Sequence, residues 1–350
     1  MKLISSTIAL LMIAAVIALV PGSFSATPKA QPAQQQKQPQ GKDKPKPDKD
    51  KKPAEGGDDQ TITLGTQLVT VPFNVTDKQN RYINELTKDD VEVLEDSKPQ
   101  QVFSFEKQTD LPITIAMAID ISGSQQWTIN DERTAGQRFF RHVLRPKKDL
   151  GAVISFEHES VLVQDLTSDI ERLTRALDDV RVPAESVTVR RGGTPPINNS
   201  GVGSTALYDC VYSISGDLLG REAGRRVIIL VTDGEDTSSS MKLRDAIERT
   251  WRNEIIVYSI GIGGPMGVDT GTLKKIASET GGRAFFPRTL DDLDKAYAQI
   301  DEDLRSQYIL AYQPTNGVKD GSFRTIQVRV KDHKELNVRH RRGYFAPKAT

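Results

Sequence analysis

The chain is poor in the residues that staple or charge a fold. It holds one cysteine, Cys210, in 350 residues, so no disulfide can close within it and no cysteine-based zinc site can form. Its four histidines, His142, His158, His333 and His340, include no pair at the i, i+4 spacing that would face one metal from a helix. Excess charge is lacking too. Lys+Arg 47 balance Asp+Glu 47, which leaves no long-range field to gather nucleic acid or anionic lipid. Long apolar runs are also missing. The longest, Ile8–Val20, has 13 residues, roughly 20 Å of helix against a hydrocarbon core of roughly 30 Å.

That short run nevertheless has a context. Lys2 precedes it, Pro21-Gly22 breaks it, and Ser23-Phe24-Ser25 sets small residues around a cut after Ser25. Residues 1–25 read as a secretory signal, and the protein as secreted or periplasmic. An uncleaved signal-anchor is the other reading and the one route to a membrane. No cysteine follows the run, so a lipoprotein anchor is excluded. Residues 26–60 read as a disordered linker. Thr27–Gln60 contains 8 Lys, 7 Gln and 6 Pro and no aromatic, Leu, Ile or Val, too little apolar surface to offset the entropy of ordering. It is either a spacer or an unselective leader.

The remaining residues divide by pattern. Thr63–Val75, Val91–Asp96 and Gln101–Phe105 read as strands, the last two joined by a turn at Ser97-Lys98-Pro99. The middle alternates. Apolar runs Ile113–Ile121, Ala152–Phe156, Val227–Thr232 and Ile255–Ile262 are followed by helical stretches including Arg133–Leu144, Ile170–Val180, Ala206–Leu219, Leu243–Trp251 and Thr272–Ser278. Continuous apolar strands separated by amphipathic helices imply a parallel sheet covered on both faces. Only a few residues around His158-Glu159-Ser160 join Ala152–Phe156 to Val161–Leu166, so that pair must be an antiparallel hairpin. After a helix over Leu293–Arg305, strands return at Tyr308–Tyr312, Phe323–Val330 and Leu336–Tyr344. Both flanks are incomplete alone. We expect residues 61–108 and 308–346 to form one small β-sandwich, with the α/β unit, 109–307, inserted between them.

The chemistry gathers at strand ends. Ile113–Ile119 runs into Asp120-Ile121-Ser122-Gly123-Ser124, a carboxylate and two hydroxyls at alternate positions in a loop. Ligands of open α/β sheets bind at the carboxyl ends of strands. Thr205 opens a helix after a Gly-rich loop, and Asp233 ends the strand Val227–Thr232. Oxygen donors of this kind suit magnesium, manganese or calcium rather than copper or zinc.

Asp120, Ser122, Ser124, Thr205 and Asp233 together make the pattern of a metal-ion-dependent adhesion site, and the chain here resembles the von Willebrand factor type A domain. The hairpin, Thr232-Asp233-Gly234 and Tyr258-Ser259-Ile260-Gly261-Ile262-Gly263 match that family. The flanks Val75-Thr76-Asp77, Leu86–Asp96, Gln307–Pro314 and Arg342-Gly343-Tyr344 look like those of the VWFA-related domain proteins of acidobacteria. The family often has Met where Gln125 stands, a change that removes no ligand. The resemblance implies a doubly wound, mostly parallel six-stranded sheet with one antiparallel edge strand, as in other Rossmann-like folds, beside the sandwich. It implies that Ser122, Ser124 and Thr205 bind a divalent cation directly, Mg²⁺ before Mn²⁺ or Ca²⁺. Asp120 and Asp233 would act largely through waters or hydroxyls. The ion would then take an Asp or Glu of a partner protein as a further ligand.

This reading is of a binding module, not an enzyme, with no nucleic-acid partner and no small-molecule cofactor. A metal-assisted hydrolase and a metal-free structural component of an envelope assembly are the alternatives. No Gly-x-Ser-x-Gly elbow or Walker-type loop supports the former. Gln125, Arg190, Arg191 and Asp236 are the candidates for meeting the partner, the two arginines from the long loop Val182–Ser204. Cys210 reads as a small buried apolar residue. Arg339-His340-Arg341-Arg342 reads as a solvated strand edge with side chains on alternating faces.

Overall fold

A computed structural model describes residues 68–107, 110–184, 204–264 and 267–349. The residues read as a signal, as a linker and as the start of the first strand, and most of the loop holding Arg190 and Arg191, lie outside them.

Four strands open the described chain: β1 (Val69–Thr76), β2 (Val91–Glu95), β3 (Lys98–Gln100) and β4 (Val102–Lys107). In β1 the residues Val69, Val71, Phe73 and Val75 are all buried, as the period of two dictates for one sheet face. The β2–β3 turn sits one residue earlier than the sequence reading placed it. Asp96 and Ser97 take φ of 46° and 67°, the left-handed pair that a two-residue hairpin demands. Asp96 holds it by accepting hydrogen bonds from the Thr325 amide and hydroxyl.

The α/β unit follows: β5 (Ile113–Asp120), α1 (Ile129–Val143), β6 (Leu150–Phe156), β7 (Ser160–Thr167), α2 (Ile170–Asp179), α3 (Leu207–Ser213), β8 (Arg225–Thr232), α4 (Leu243–Arg252), β9 (Ile255–Gly261), α5 (Thr270–Thr280), β10 (Ala284–Phe285) and α6 (Leu290–Arg305). The sheet order is β10-β9-β8-β5-β6-β7, with β7 alone antiparallel. Every residue of β5 is buried, because both faces are covered. Ile115, Met117 and Ile119 pack with Phe139, Phe140 and Leu177 in one layer. Ala116 and Ala118, pointing the other way, pack with Leu207, Ile247 and Leu273. Cys210 lies in that second layer, and burial pushes its thiol up to about 12.

The chain closes with β11 (Tyr308–Tyr312), β12 (Phe323–Val330), β13 (Asn337–His340) and β14 (Gly343–Phe345). They interleave with the opening strands in two sheets, β13-β1-β11-β4 and β14-β12-β2-β3. Both flanks of the inserted unit thus supply strands to each sheet, around a core that stacks Phe73 on Tyr308 at 5.5 Å. Leu336–Tyr344 is not one strand. It breaks at Arg341–Arg342, so β13 joins one sheet and β14 the other.

The break corrects the reading of the arginine run as a solvated edge. Arg339 pairs with the buried Asp303 of α6. Arg341, itself buried, donates to the Thr70 carbonyl at 2.8 Å and forms an ion pair with Glu254 at 2.9 Å. Arg342 reaches Glu279 at 2.8 Å. The run therefore ties the sandwich to α5, α6 and the α4–β9 turn. Tyr82 adds its hydroxyl to Asp303, and Trp251 of α4 stacks on Phe323 at 4.6 Å.

Candidate metal centre

Parallel pairing brings two chain exits together. Ile119 of β5 lies opposite Val231 of β8, so Asp120 and Thr232-Asp233 leave the sheet side by side. Asp120 accepts the Ser122 amide at 2.8 Å through Oδ1 and the Thr232 hydroxyl at 2.6 Å through Oδ2. Ser122 then turns the chain into a short 3-10 helix, Gly123–Trp127, which sets Ser124 beside it, with their Oγ atoms 2.8 Å apart. Asp233 accepts the Glu235 amide at 3.1 Å. Gly234 follows with φ of 85°, where a side chain would also meet the Asp269 carbonyl at 2.9 Å, so glycine is required.

Thr205 stands just before α3 rather than within it. Its amide donates to the Thr237 hydroxyl at 2.8 Å, and its carbonyl accepts the Thr237 and Ser238 amides. The neighbouring Ala206 amide bonds the Glu157 carbonyl at 2.7 Å. The loops after β6 and β8 and the segment before α3 are thereby strapped into one surface. All five expected ligands are no more than 4% exposed.

The donor set can be tested against a cation on its electrostatics. Burial, with the carboxylate of Asp233 adding its charge, pushes Asp120 up to about 7. Among the described residues no arginine or lysine forms an ion pair with either carboxylate. Nor do three His, Cys, Asp or Glu side chains gather at one point among them, so the set is two carboxylates supplemented by hydroxyls. Two buried carboxylates without an ion-pair partner, with the Ser122 and Ser124 hydroxyls beside Asp120, fit a hard divalent ion.

The partner-facing candidates fare differently. Gln125 is fully buried. Its amide donates to the Ile262 carbonyl at 3.2 Å and to Ser124 Oγ at 3.3 Å, and its Oε1 accepts the Thr128 hydroxyl at 3.2 Å. It supports Ser124 from below and faces no solvent. Asp236 accepts the Tyr208 amide at 3.2 Å and the Ser239 hydroxyl at 2.5 Å, which caps α3. Arg190 and Arg191 lie outside the described residues.

In sequence Thr232 reads as part of the motif Thr232-Asp233-Gly234 with no role at the site, although it is the one hydroxyl ending an otherwise apolar run. It donates to Asp120 and accepts the Gly234 amide at 3.0 Å. Thr232→Val keeps the shape and removes the donor. We expect a loss of divalent-ion affinity of about 10- to 100-fold, the usual cost of an outer hydrogen bond to a ligand. Unchanged affinity by calorimetric titration would remove Thr232 from the centre.

Residues 114–299 match the family model described as von Willebrand factor type A domain. No curated protein matches the chain. Among solved structures, BatB from Bacteroides thetaiotaomicron is 17% identical, with 56% of this chain and 97% of that chain covered, at a TM-score of 0.42. The proximal thread matrix protein 1 of the mussel byssus, with zinc occupied MIDAS motif, is 18% identical over 60% of this chain and 50% of that chain, at 0.44. A von Willebrand factor type A protein from Catenulispora acidiphila is 14% identical over 82% and 76%, at 0.45. The family match spans more than half of the sequence and encloses all five expected ligands, and the chain belongs to the von Willebrand factor type A domain family.

Proposed function

We propose that this chain is an exported, metal-dependent protein-binding module, for adhesion or scaffolding, that captures an acidic side chain of a partner. The observation that carries the reading is the pair of buried carboxylates, Asp120 and Asp233, set beside the Ser122 and Ser124 hydroxyls without a neutralising side chain. In it Ser122, Ser124 and Thr205 hold a divalent cation, Mg²⁺ first, and Asp120 and Asp233 anchor the hydroxyls and loop amides around it. Neutral direct ligands leave such an ion short of negative charge, so an Asp or Glu from outside completes it. The carboxylates are engaged in holding amides and hydroxyls, an arrangement suited to binding rather than to proton shuttling. Export rests on the N-terminal apolar run, and the relation to the acidobacterial VWFA-related proteins rests on the flanking motifs.

The test is capture from envelope extract on the immobilised protein. Partner retention in Mg²⁺, release by EDTA, recovery on adding Mg²⁺ back, and none by Asp120→Asn are expected. Capture indifferent to EDTA would sink the reading and favour a metal-free structural role.

A further inference from the structure

Trp127 is an exposed tryptophan on the element that carries a candidate metal ligand. It ends the 3-10 helix Gly123–Trp127 and is 70% exposed, whereas Ser124 of the same helix is 4% exposed. A 3-10 helix has three residues per turn, so side chains three positions apart eclipse. Trp127 therefore shares a face with Ser124, about 6 Å further along the axis at about 2.0 Å per residue. Gln125, expected to meet a partner, is instead turned into the protein by the Ile262 carbonyl. The loop after β9 holds the arrangement from the side. A side chain built on Gly264 would meet the Ser124 carbonyl at 3.1 Å and the Trp127 ring at 3.8 Å, so one loop backs both residues.

The surroundings of the indole carry no charge. Residues 121–128 and Ile262-Gly263-Gly264 contain no Asp, Glu, Lys or Arg. Glu157, Glu159, Glu235 and Asp236 stand instead on the loops after β6 and β8. An indole face can attract a cation, but a divalent ion one helical turn away repels it. What this surface gains from is the burial of apolar area. Spacing then names the occupant. In an extended peptide, side chains two residues apart share a face and lie about 6.6 Å apart, at about 3.3 Å per residue. That matches the offset of about 6 Å between Ser124 and Trp127.

We propose that Trp127 is the second anchor for the partner protein, packing a large apolar side chain two residues away from the acid that completes the cation, on an extended segment. This rests on the metal-dependent capture proposed above and adds to it the class of residue beside the acid.

Titration of the Mg²⁺-loaded full chain with short peptides tests it. The probes are acetyl-Phe-Gly-Asp-Gly-Gly-amide and acetyl-Gly-Gly-Asp-Gly-Phe-amide, which cover both chain directions. Beside them stand the same frames with Gly or Lys in place of Phe, and with Asn in place of Asp. One of the Phe peptides is expected to bind at least about tenfold more tightly than the all-Gly frame, the worth of burying one large apolar side chain, and more tightly than its Lys counterpart. Trp127→Ala removes that preference, and Trp127→Phe retains it. Equal binding of the Phe and Gly peptides, tighter binding of a Lys peptide, or a Phe preference that survives in a folded Trp127→Ala would overturn the proposal and leave the metal reading standing. The Mg²⁺-dependent preference for Asp over Asn reads the metal-bound acid separately. Its absence would overturn the capture mechanism and this inference together.

Discussion

Glu95→Ala is expected to lower the unfolding free energy by about 3–5 kcal/mol, the cost of breaking a buried ion pair from one side. Glu95 and Arg324 are 2% and 3% exposed in the core of one sandwich sheet, with Nη1 and Oε1 3.3 Å apart. The Tyr312 and Tyr344 hydroxyls both donate to the other carboxylate oxygen, at 2.8 and 2.9 Å. Through its Nη atoms Arg324 also donates to the Asn316 and Val318 carbonyls, which holds the β11–β12 loop. Removing Glu95 strands a guanidinium and two hydroxyls away from water at once. Arg324→Met together with Glu95→Leu should cost far less than Glu95→Ala, because no charge is then left alone. Urea unfolding reads both. A loss below about 1 kcal/mol for Glu95→Ala would mean that the pair reaches water and is worth only what a surface bridge is worth.

The second large effect is at the metal centre, and its sign depends on the ion. Asp120→Asn keeps the side-chain shape and its acceptor for the Ser122 amide while removing one of two buried negative charges. In EDTA the variant is expected to be at least as stable as the native protein, because the repulsion from Asp233 is gone. In Mg²⁺ the order reverses. A ligand at 100 times its Kd adds about 2.7 kcal/mol to the state that binds it, and the variant gains none of this. Thermal unfolding with and without Mg²⁺ gives the four numbers. Destabilisation of the variant by the same amount in both conditions would make Asp120 a structural residue.

What was legible in the sequence follows the range of the forces involved. β5 could be read because burial on both faces leaves every position apolar, and the β6–β7 hairpin because so few residues join its strands. The sandwich was legible because each flank is incomplete alone, which leaves the two to pair with each other. The five oxygen-bearing residues stood out because they sit at or just past strand ends, or just before a helix, where an α/β sheet exposes its loops. Other features depend on contacts distant in sequence. The break at Arg341–Arg342 is set by Asp303, Glu254 and Glu279, which no local alternation reveals. Nothing near Gln125 tells whether its amide turns to solvent or to the Ile262 carbonyl, 137 residues away. Helix α1 begins at Ile129 rather than Arg133, and its N-cap Thr128 gives its hydroxyl to Gln125, a contact that local pattern does not reveal.

The most direct measurement is isothermal titration of Mg²⁺, Mn²⁺ and Ca²⁺ into the metal-free protein beside Asp120→Asn. One site per chain in the native protein, with affinity at least about 100-fold weaker in the variant, the upper end of ligand-shell effects, is the predicted result. No saturable heat with any of the three ions, or an identical isotherm from Asp120→Asn, would contradict a cation held by Asp120, Ser122, Ser124, Thr205 and Asp233.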